Sequence, residues 1–271
     1  MEDQTRLDGS LLAEREIWNA SAERQTKRFL AAPTPSFDEW MHRRPEYEFF
    51  ADFLRSHPDK SAPVLQLGAV DPWCQVLSDV GYTHIIVTDL SDAAVKLAEQ
   101  RQHKFPKPAR YEFVPADAHH LPLADESIGL VIAGGVLHHL RRPEAINELY
   151  RVLMPGGRAM LLDYYLDGPL RLGLLTRLWR GSERGNDLPL TYREVELVER
   201  TFGTMDRSFF GFRTNIVARF DGFRRGRYPL EADFFREWGR RARADMRDAG
   251  RSKAFGRFLC CSVNMAIEKT R

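Results

Sequence analysis

Residues 64–89 read VLQLGAVDPWCQVLSDVGYTHIIVTD. Two short runs rich in Val, Ile and Leu flank a glycine turn and a segment of helical length that ends near Gly81. The reading is a strand over APVLQLGAV (62–70), a helix over PWCQVLSDVGY (72–82) and a strand over THIIVTDL (83–90). Apolar runs without alternation are buried on both faces, as the strands of a parallel sheet are.

The same alternation continues downstream. SDAAVKLAEQRQ (91–102) is a helix capped by Ser91, ARYEFVPAD (109–117) and DESIGLVIAGG (125–135) are strands, and RRPEAINELYRVL (141–153) is a helix. The chain turns at Met154-Pro155-Gly156-Gly157 into the strand RAMLLDYY (158–165). Repeated strand-then-helix order predicts a parallel sheet covered by helices on both faces. Beyond Tyr165 the alternation stops: YREVELVERTFG (192–203) reads as one surface helix, RSFFGF (207–212) as a strand, residues 219–253 as an arginine- and phenylalanine-rich helical insertion, and RFLCCSVNMAIEK (257–269) as a closing strand.

Upstream, LLAEREIWNASAERQTKRF (11–29) is a cap helix, AAPTPSFDEWMHRRP (31–45) a connector punctuated by prolines, and EYEFFADFLRSH (46–57) a second amphipathic helix. The expected fold is α/β, a doubly wound, mostly parallel seven-stranded sheet with N-terminal cap helices and a helical C-terminal lid. The expected division is a cap over 1–45, a core over 46–165, a lid with one core helix and strand over 166–256, and a final strand with a tail over 257–271.

With 271 residues, 43% hydrophobic and 29% charged, the chain can bury one sizeable core. A formal net charge of only +2 gives no strong field for nucleic acid or an anionic membrane. No apolar run is long enough to span a bilayer, and nothing near the N-terminus reads as a signal peptide, so a cytoplasmic protein is expected. Three cysteines, two of them adjacent at Cys260 and Cys261, give neither a disulfide framework nor metal-ligand spacing.

Open parallel sheets bind ligands beyond the carboxyl ends of their strands, where strand order reverses. Four such ends hold unusual residues: the turn Gly68–Pro72, Asp89, Asp117, and Gly134-Gly135 leading to His138 and His139. Asp89 follows Gly68 by 21 positions, close to the spacing of about 20 that lets an acid on the second strand reach ribose hydroxyls. Ser91 is better placed than Asp89 to cap the following helix, which favours a ligand role for Asp89.

The runs VLQLGAV, IIVTDLSDAAVKLAEQ, YEFVPADAHHLPLADESIGLVIAGGVLHHL and PEAINELYRVLMPGGRAMLLD together resemble the successive motifs of class I S-adenosylmethionine-dependent methyltransferases acting on small molecules. The resemblance covers residues 45–165, with weaker echoes in EREIWNASAER and the last strand. It implies that Gly68 and Ala69 line the methionine part of the cofactor, that Asp89 with Leu90 meets the ribose, and that Asp117 with Ala118 meets the adenine. Gly134 and Val136 would form the floor beside the sulfonium. It also implies a histidine–aspartate base drawn from His138, His139 and Asp163.

The chain departs from the family where Gln66 replaces an acid, where Val70 and Pro72 replace glycines, and where Gly129 replaces an aspartate. Valine is disfavoured at positive φ and Pro72 lacks a donor, while Asp71 offers an acid from a displaced loop. The expected function is methyl transfer to an oxygen, nitrogen or carbon of a bulky, hydrophobic small molecule, of the secondary-metabolite or lipid-like kind. The alternative is the same fold without methylation, as a binding or regulatory protein or an enzyme of other chemistry. His119 and His120 lack partners at metal-ligand spacing, so no metal is expected. In the lid, Phe220, Phe223, Phe234, Phe235 and Trp238 would cover the site while Arg224, Arg225 and Arg227 stay solvated or meet an acidic substrate. The helices at either end could also carry a homodimer contact, and nucleic acid is not an expected partner.

Overall fold

The computed structural model describes residues 9–43, 45–167, 188–213 and 231–270. Its strands are β1 (Val64–Leu67), β2 (His84–Asp89), β3 (Arg110–Pro115), β4 (Ile128–Gly134), β5 (Leu153–Tyr164), β6 (Gly203–Phe210) and β7 (Ser262–Lys269). They form one seven-stranded sheet in the order β3-β2-β1-β4-β5-β7-β6. The first five pair in parallel, and β7 runs antiparallel between β5 and β6. Strand order reverses between β1 and β4, so the carboxyl ends of these two strands flank the crevice in which such sheets hold ligands.

Period-two alternation sends neighbouring residues of each central strand into different cores. Leu65, Ile86, Val131 and Ala159 pack with α6 (Arg142–Val152) and α7 (Tyr192–Phe202), using Ile146, Leu149, Val195, Val198 and Phe202. Val64, Ile85, Val87, Leu130 and Met160 pack on the opposite face. There they meet α4 (Trp73–Ser78) and α5 (Asp92–Lys104), with Tyr47, Phe50 and Leu54 from the N-terminal region.

The N-terminal region departs from its sequence reading in two places. The connector contains a helix, α2 (Phe37–Arg43), started by a capping box in which Glu39 accepts from Ser36 N–H and Glu39 N–H donates to Ser36 Oγ. The following segment is a 3₁₀ turn, Pro45–Phe50, and a short α3 (Ala51–Arg55) rather than one helix. The leading helix α1 spans Gly9–Phe29.

At the C-terminal side, α8 (Glu231–Arg251) is fastened to the end of β6 by Asp245. This fully buried carboxylate accepts from Gly211 N–H, Arg213 N–H and the Arg213 guanidinium. The predicted closing strand begins late, because Ser252 Oγ accepts from Phe255 N–H and starts α9 (Lys253–Leu259), which takes Arg257–Leu259 out of the sheet. Phe220, Phe223, Arg224, Arg225 and Arg227 lie outside the described residues, and Phe234, Phe235 and Trp238 are described only as helical backbone. Among the described residues no helix is long and apolar enough to cross a membrane.

The aspartate missing at Gly129 has a packing reason. A Cβ there would stand 2.6 Å from Ala62 Cβ, and the Gly129 carbonyl is bonded to His57 Nε2 at 3.1 Å, where β4 slips register against β5.

Candidate functional site

The turn after β1 is organised by Gln66, which is 1% exposed. Its Nε2 donates to the carbonyls of Gly68 and Asp71, both at 2.7 Å, and its Oε1 accepts from Cys74 N–H at 2.7 Å. One carboxamide thus closes the turn and satisfies a free donor at the start of α4. An acid at this position could accept from Cys74 but could not donate to two carbonyls. Gly68 takes φ +84°, whereas Val70 lies outside the left-handed region, so the β-branched side chain carries no backbone strain. Pro72 sits at the N-cap of α4 with φ −83°, close to the value its ring imposes.

Asp89 ends β2. Its Oδ2 accepts from Ala69 N–H at 2.8 Å and its Oδ1 from Ser91 N–H at 2.9 Å, and the carboxylate keeps acceptor capacity beyond these bonds. Burial pushes its carboxyl above the ordinary aspartate range, against the opposing pull of the N–H bonds from Ala69, Ser91 and Leu90. Asp117 follows β3 and is held by His119, whose Nδ1 lies 2.5 Å from Asp117 Oδ1 and whose backbone N–H also donates to it. Arg141 N–H donates to His119 Nε2 at 3.0 Å, which places the ring proton on Nδ1, facing Asp117. Burial opposes charge on Asp117, but the His119 hydrogen bonds outweigh it and hold the carboxyl below its usual range. His119 therefore orients a carboxylate.

His138 and His139 share a 3₁₀ turn after β4, and their rings lie against each other with centroids 3.8 Å apart. His138 Nδ1 meets Asp163 Oδ1 at 2.7 Å, and Asp163, 1% exposed, also accepts from the N–H groups of His138 and Tyr164. His139 turns toward α1: its ring packs edge-on to Trp18 at 5.1 Å, and its Nδ1 is 3.6 Å from Glu14 Oε1. Of the three residues expected to act as a base, His138 and Asp163 form a buried pair, and the His139 ring lies against that of His138 at the cavity edge.

A cavity of about 250 Å³ opens at the ends of β1, β2 and β4. Gly68, Asp89, Leu90, Asp117, Ala118, Gly134, Val136 and His139 border it; Ala69, His138 and Asp163 do not. Ala69 contributes through its N–H, which fixes Asp89. The sequence alone does not place Leu11, Glu14 and Trp18 of α1 at this cavity, nor Trp73, whereas Asp71 stands there as the acid of the displaced loop. The spacing of positions 11, 14 and 18 puts the first three on one helical face, which was the available signal. That helix is docked by Asn19, whose Oδ1 accepts from Ser91 Oγ at 2.6 Å and from Ala93 N–H at 3.2 Å, and by an Arg15–Asp92 ion pair.

Comparison with known proteins agrees with this geometry. Residues 66–161 match the family model described as a methyltransferase domain. A ubiquinone/menaquinone biosynthesis C-methyltransferase of Roseobacter denitrificans is 34% identical over 98 residues, which is 36% of this chain and 39% of that protein. The matched region thus spans well under half of that relative. Among solved structures, phosphoethanolamine N-methyltransferase 2 of Haemonchus contortus, in complex with phosphomonomethylethanolamine and S-adenosylhomocysteine, superposes with a TM-score of 0.61 at 17% identity. The match covers 98% of this chain and 61% of that one. The [4+2]-cyclase SpnF superposes with a TM-score of 0.59 at 16% identity, over 96% of each chain. Residues 66–161, which carry the strand-end carboxylates described above, thus match a methyltransferase domain, and the whole sheet has the fold of these solved structures.

Proposed function

We propose that the cavity binds S-adenosylmethionine and that the protein transfers its methyl group to a small hydrophobic acceptor. The observation that carries this reading is the meeting of Asp89 and Asp117, from adjacent strand ends, with Gly68 and Gly134 around one cavity. Asp89 has acceptor capacity left for vicinal hydroxyls, and Asp117 can accept from an exocyclic amine. The donor set fits the cofactor at its other end as well, since the hollow over Gly134 is edged by a carboxylate at Asp71 and by a buried indole N–H of Trp73 that lacks a partner among the described residues.

When bound, S-adenosylmethionine supplies an electrophilic methyl group on a positively charged sulfur. Glu14, Asp71, Asp89 and Asp117 border the cavity, and among the described lining residues there is no Lys or Arg. That field favours a cationic ligand. Leu11, Trp18 and Leu140 give the cavity an apolar side that suits a hydrophobic acceptor and keeps water out. His139 is the imidazole that borders the cavity and is the group we assign to take a proton from the acceptor, while His138 and Asp163 hold the turn that carries it. The name of the Roseobacter relative, a C-methyltransferase of quinone biosynthesis, supports a ring-bearing acceptor without fixing the accepting atom.

Calorimetric titration with S-adenosylmethionine and S-adenosylhomocysteine tests the reading. Saturable binding of both is expected, and no heat at about 1 mM ligand, a limit of about 4 kcal/mol, would refute it. Val70 and Pro72, standing where the family has glycines, favour a second reading in which the pocket binds the ligand without methyl transfer. Binding with no labelled methyl passed to a panel of phenols, quinols and amines would select it.

A further inference from the structure

We infer that Asp71 and Trp73 recognise the α-amino-acid end of the ligand, with Asp71 holding the ammonium group in place of the family acid that Gln66 has displaced. This rests on the cofactor reading above.

Gln66 is neutral and buried, and its carboxamide is occupied by Gly68, Asp71 and Cys74, so it has no charge to offer an ammonium group. The same bracket fixes the backbone of Asp71. Tyr47 Oη donates to Asp71 Oδ2 at 3.2 Å, which turns the carboxylate toward Gly134. A Cβ built on Gly134 would stand 3.6 Å from Asp71 Oδ2, 3.6 Å from Tyr47 Oη and 3.9 Å from Trp73 Nε1. Glycine therefore leaves a hollow edged by these three polar atoms, and Asp71, Trp73 and Gly134 all border the same cavity.

Trp73 supplies the second, independent observation. The residue is 1% exposed, and its Nε1–H has no hydrogen-bond partner among the described residues. A buried donor left in that state is unfavourable, and a bound acceptor relieves it. Charged acceptor and neutral donor at one hollow are the complement of a zwitterion. Asp71 accepts the ammonium, and Trp73 Nε1–H donates to the carboxylate, for which the described lining offers no cationic side chain.

The test compares two ligands that share adenosine and sulfur, S-adenosylhomocysteine and 5′-methylthioadenosine, the second lacking the amino-acid end. Calorimetry is run on the full chain as wild type, Asp71→Asn and Trp73→Phe. Asp71→Asn keeps an acceptor for Tyr47 and should weaken S-adenosylhomocysteine about tenfold or more while leaving 5′-methylthioadenosine within about twofold. Trp73→Phe should weaken the first ligand about three- to tenfold and spare the second. These ranges correspond to about 0.7 kcal/mol and upward. An Asp71→Asn variant that binds S-adenosylhomocysteine like wild type overturns the assignment, as does one that loses both ligands equally, since the residue would then act only through the loop. Unchanged S-adenosylhomocysteine affinity in Trp73→Phe removes the indole from it. A wild type that binds neither ligand overturns the cofactor reading itself, and this assignment with it.

Discussion

Restoring the family acid at position 66 should damage this protein. Gln66→Glu is nearly isosteric, yet it replaces the Nε2 that donates to the Gly68 and Asp71 carbonyls at 2.7 Å with an oxygen facing both of them. Two buried hydrogen bonds are lost at about 1 kcal/mol each, and two carbonyls are left facing a negative oxygen. The total is about 2–4 kcal/mol at neutral pH. At about 2–4 °C per kcal/mol for a chain of this size, the melting temperature should fall by about 5–15 °C. A buried glutamate also has its pKa raised by desolvation, above about 4.3 in the unfolded chain. A raised folded-state pKa means that the fold prefers the protonated form, whose O–H regains one of the lost bonds. The deficit should therefore be largest above the folded pKa and shrink as pH falls through it toward about 4.3. Scanning calorimetry of wild type and variant at pH 7.5 and pH 5 measures both effects. An unchanged melting temperature, or a deficit independent of pH, would refute the role assigned to Gln66.

Three further outcomes follow from contacts already described. Gly129→Ala should cost about 1–3 kcal/mol in denaturant unfolding, because the new Cβ meets Ala62 at 2.6 Å, and a neutral result would mean that Ala62 gives way freely. Asn19→Ala removes the acceptor of Ser91 Oγ and Ala93 N–H and should speed amide exchange across residues 11–22 by about 5- to 30-fold. Exchange at the wild-type rate would show that α1 is docked by its apolar face alone. Burial raises the Asp89 carboxyl, and acceptance of ribose hydroxyls needs the charged form. S-adenosylhomocysteine affinity should therefore decline on acidification from a pH above the ordinary aspartate value of about 3.9. Affinity that stays flat down to about pH 3.9 in folded protein would remove Asp89 from the ribose contact.

Much of this architecture is readable in the chain because long-range order here follows local pattern. Unbroken apolar runs such as Ile128–Gly134 are buried on both faces, and the alternation of such runs with helices leaves few topologies. Strand-end carboxylates are legible for the same reason, since a strand's end fixes where its next residue stands. What pattern does not carry is the direction of a side chain in an irregular turn. Nothing local distinguishes His138, which folds back on Asp163, from His139, which faces α1. Gln66, Val70 and Pro72 look like losses when read one by one, and only the three hydrogen bonds of Gln66 show them as parts of a different turn. The helix at Phe37–Arg43 was legible through Ser36 and Glu39 but was masked by the prolines before it.

The position of β7 constrains how the molecule is made. Its partners β5 and β6 are separated by two strand widths and share no ladder, so neither can complete its hydrogen bonds until residues 262–269 lie between them. On a ribosome, β5 stays an open edge while about a hundred more residues are synthesised, and β6 waits with α7 and then α8 packed on it but no strand beside it. A stalled or clipped chain lacking those eight residues would expose two unpaired strand edges at once. Such a chain would be far more prone to aggregate than one lacking α1, whose loss opens the ligand cavity and leaves the sheet ladders unbroken.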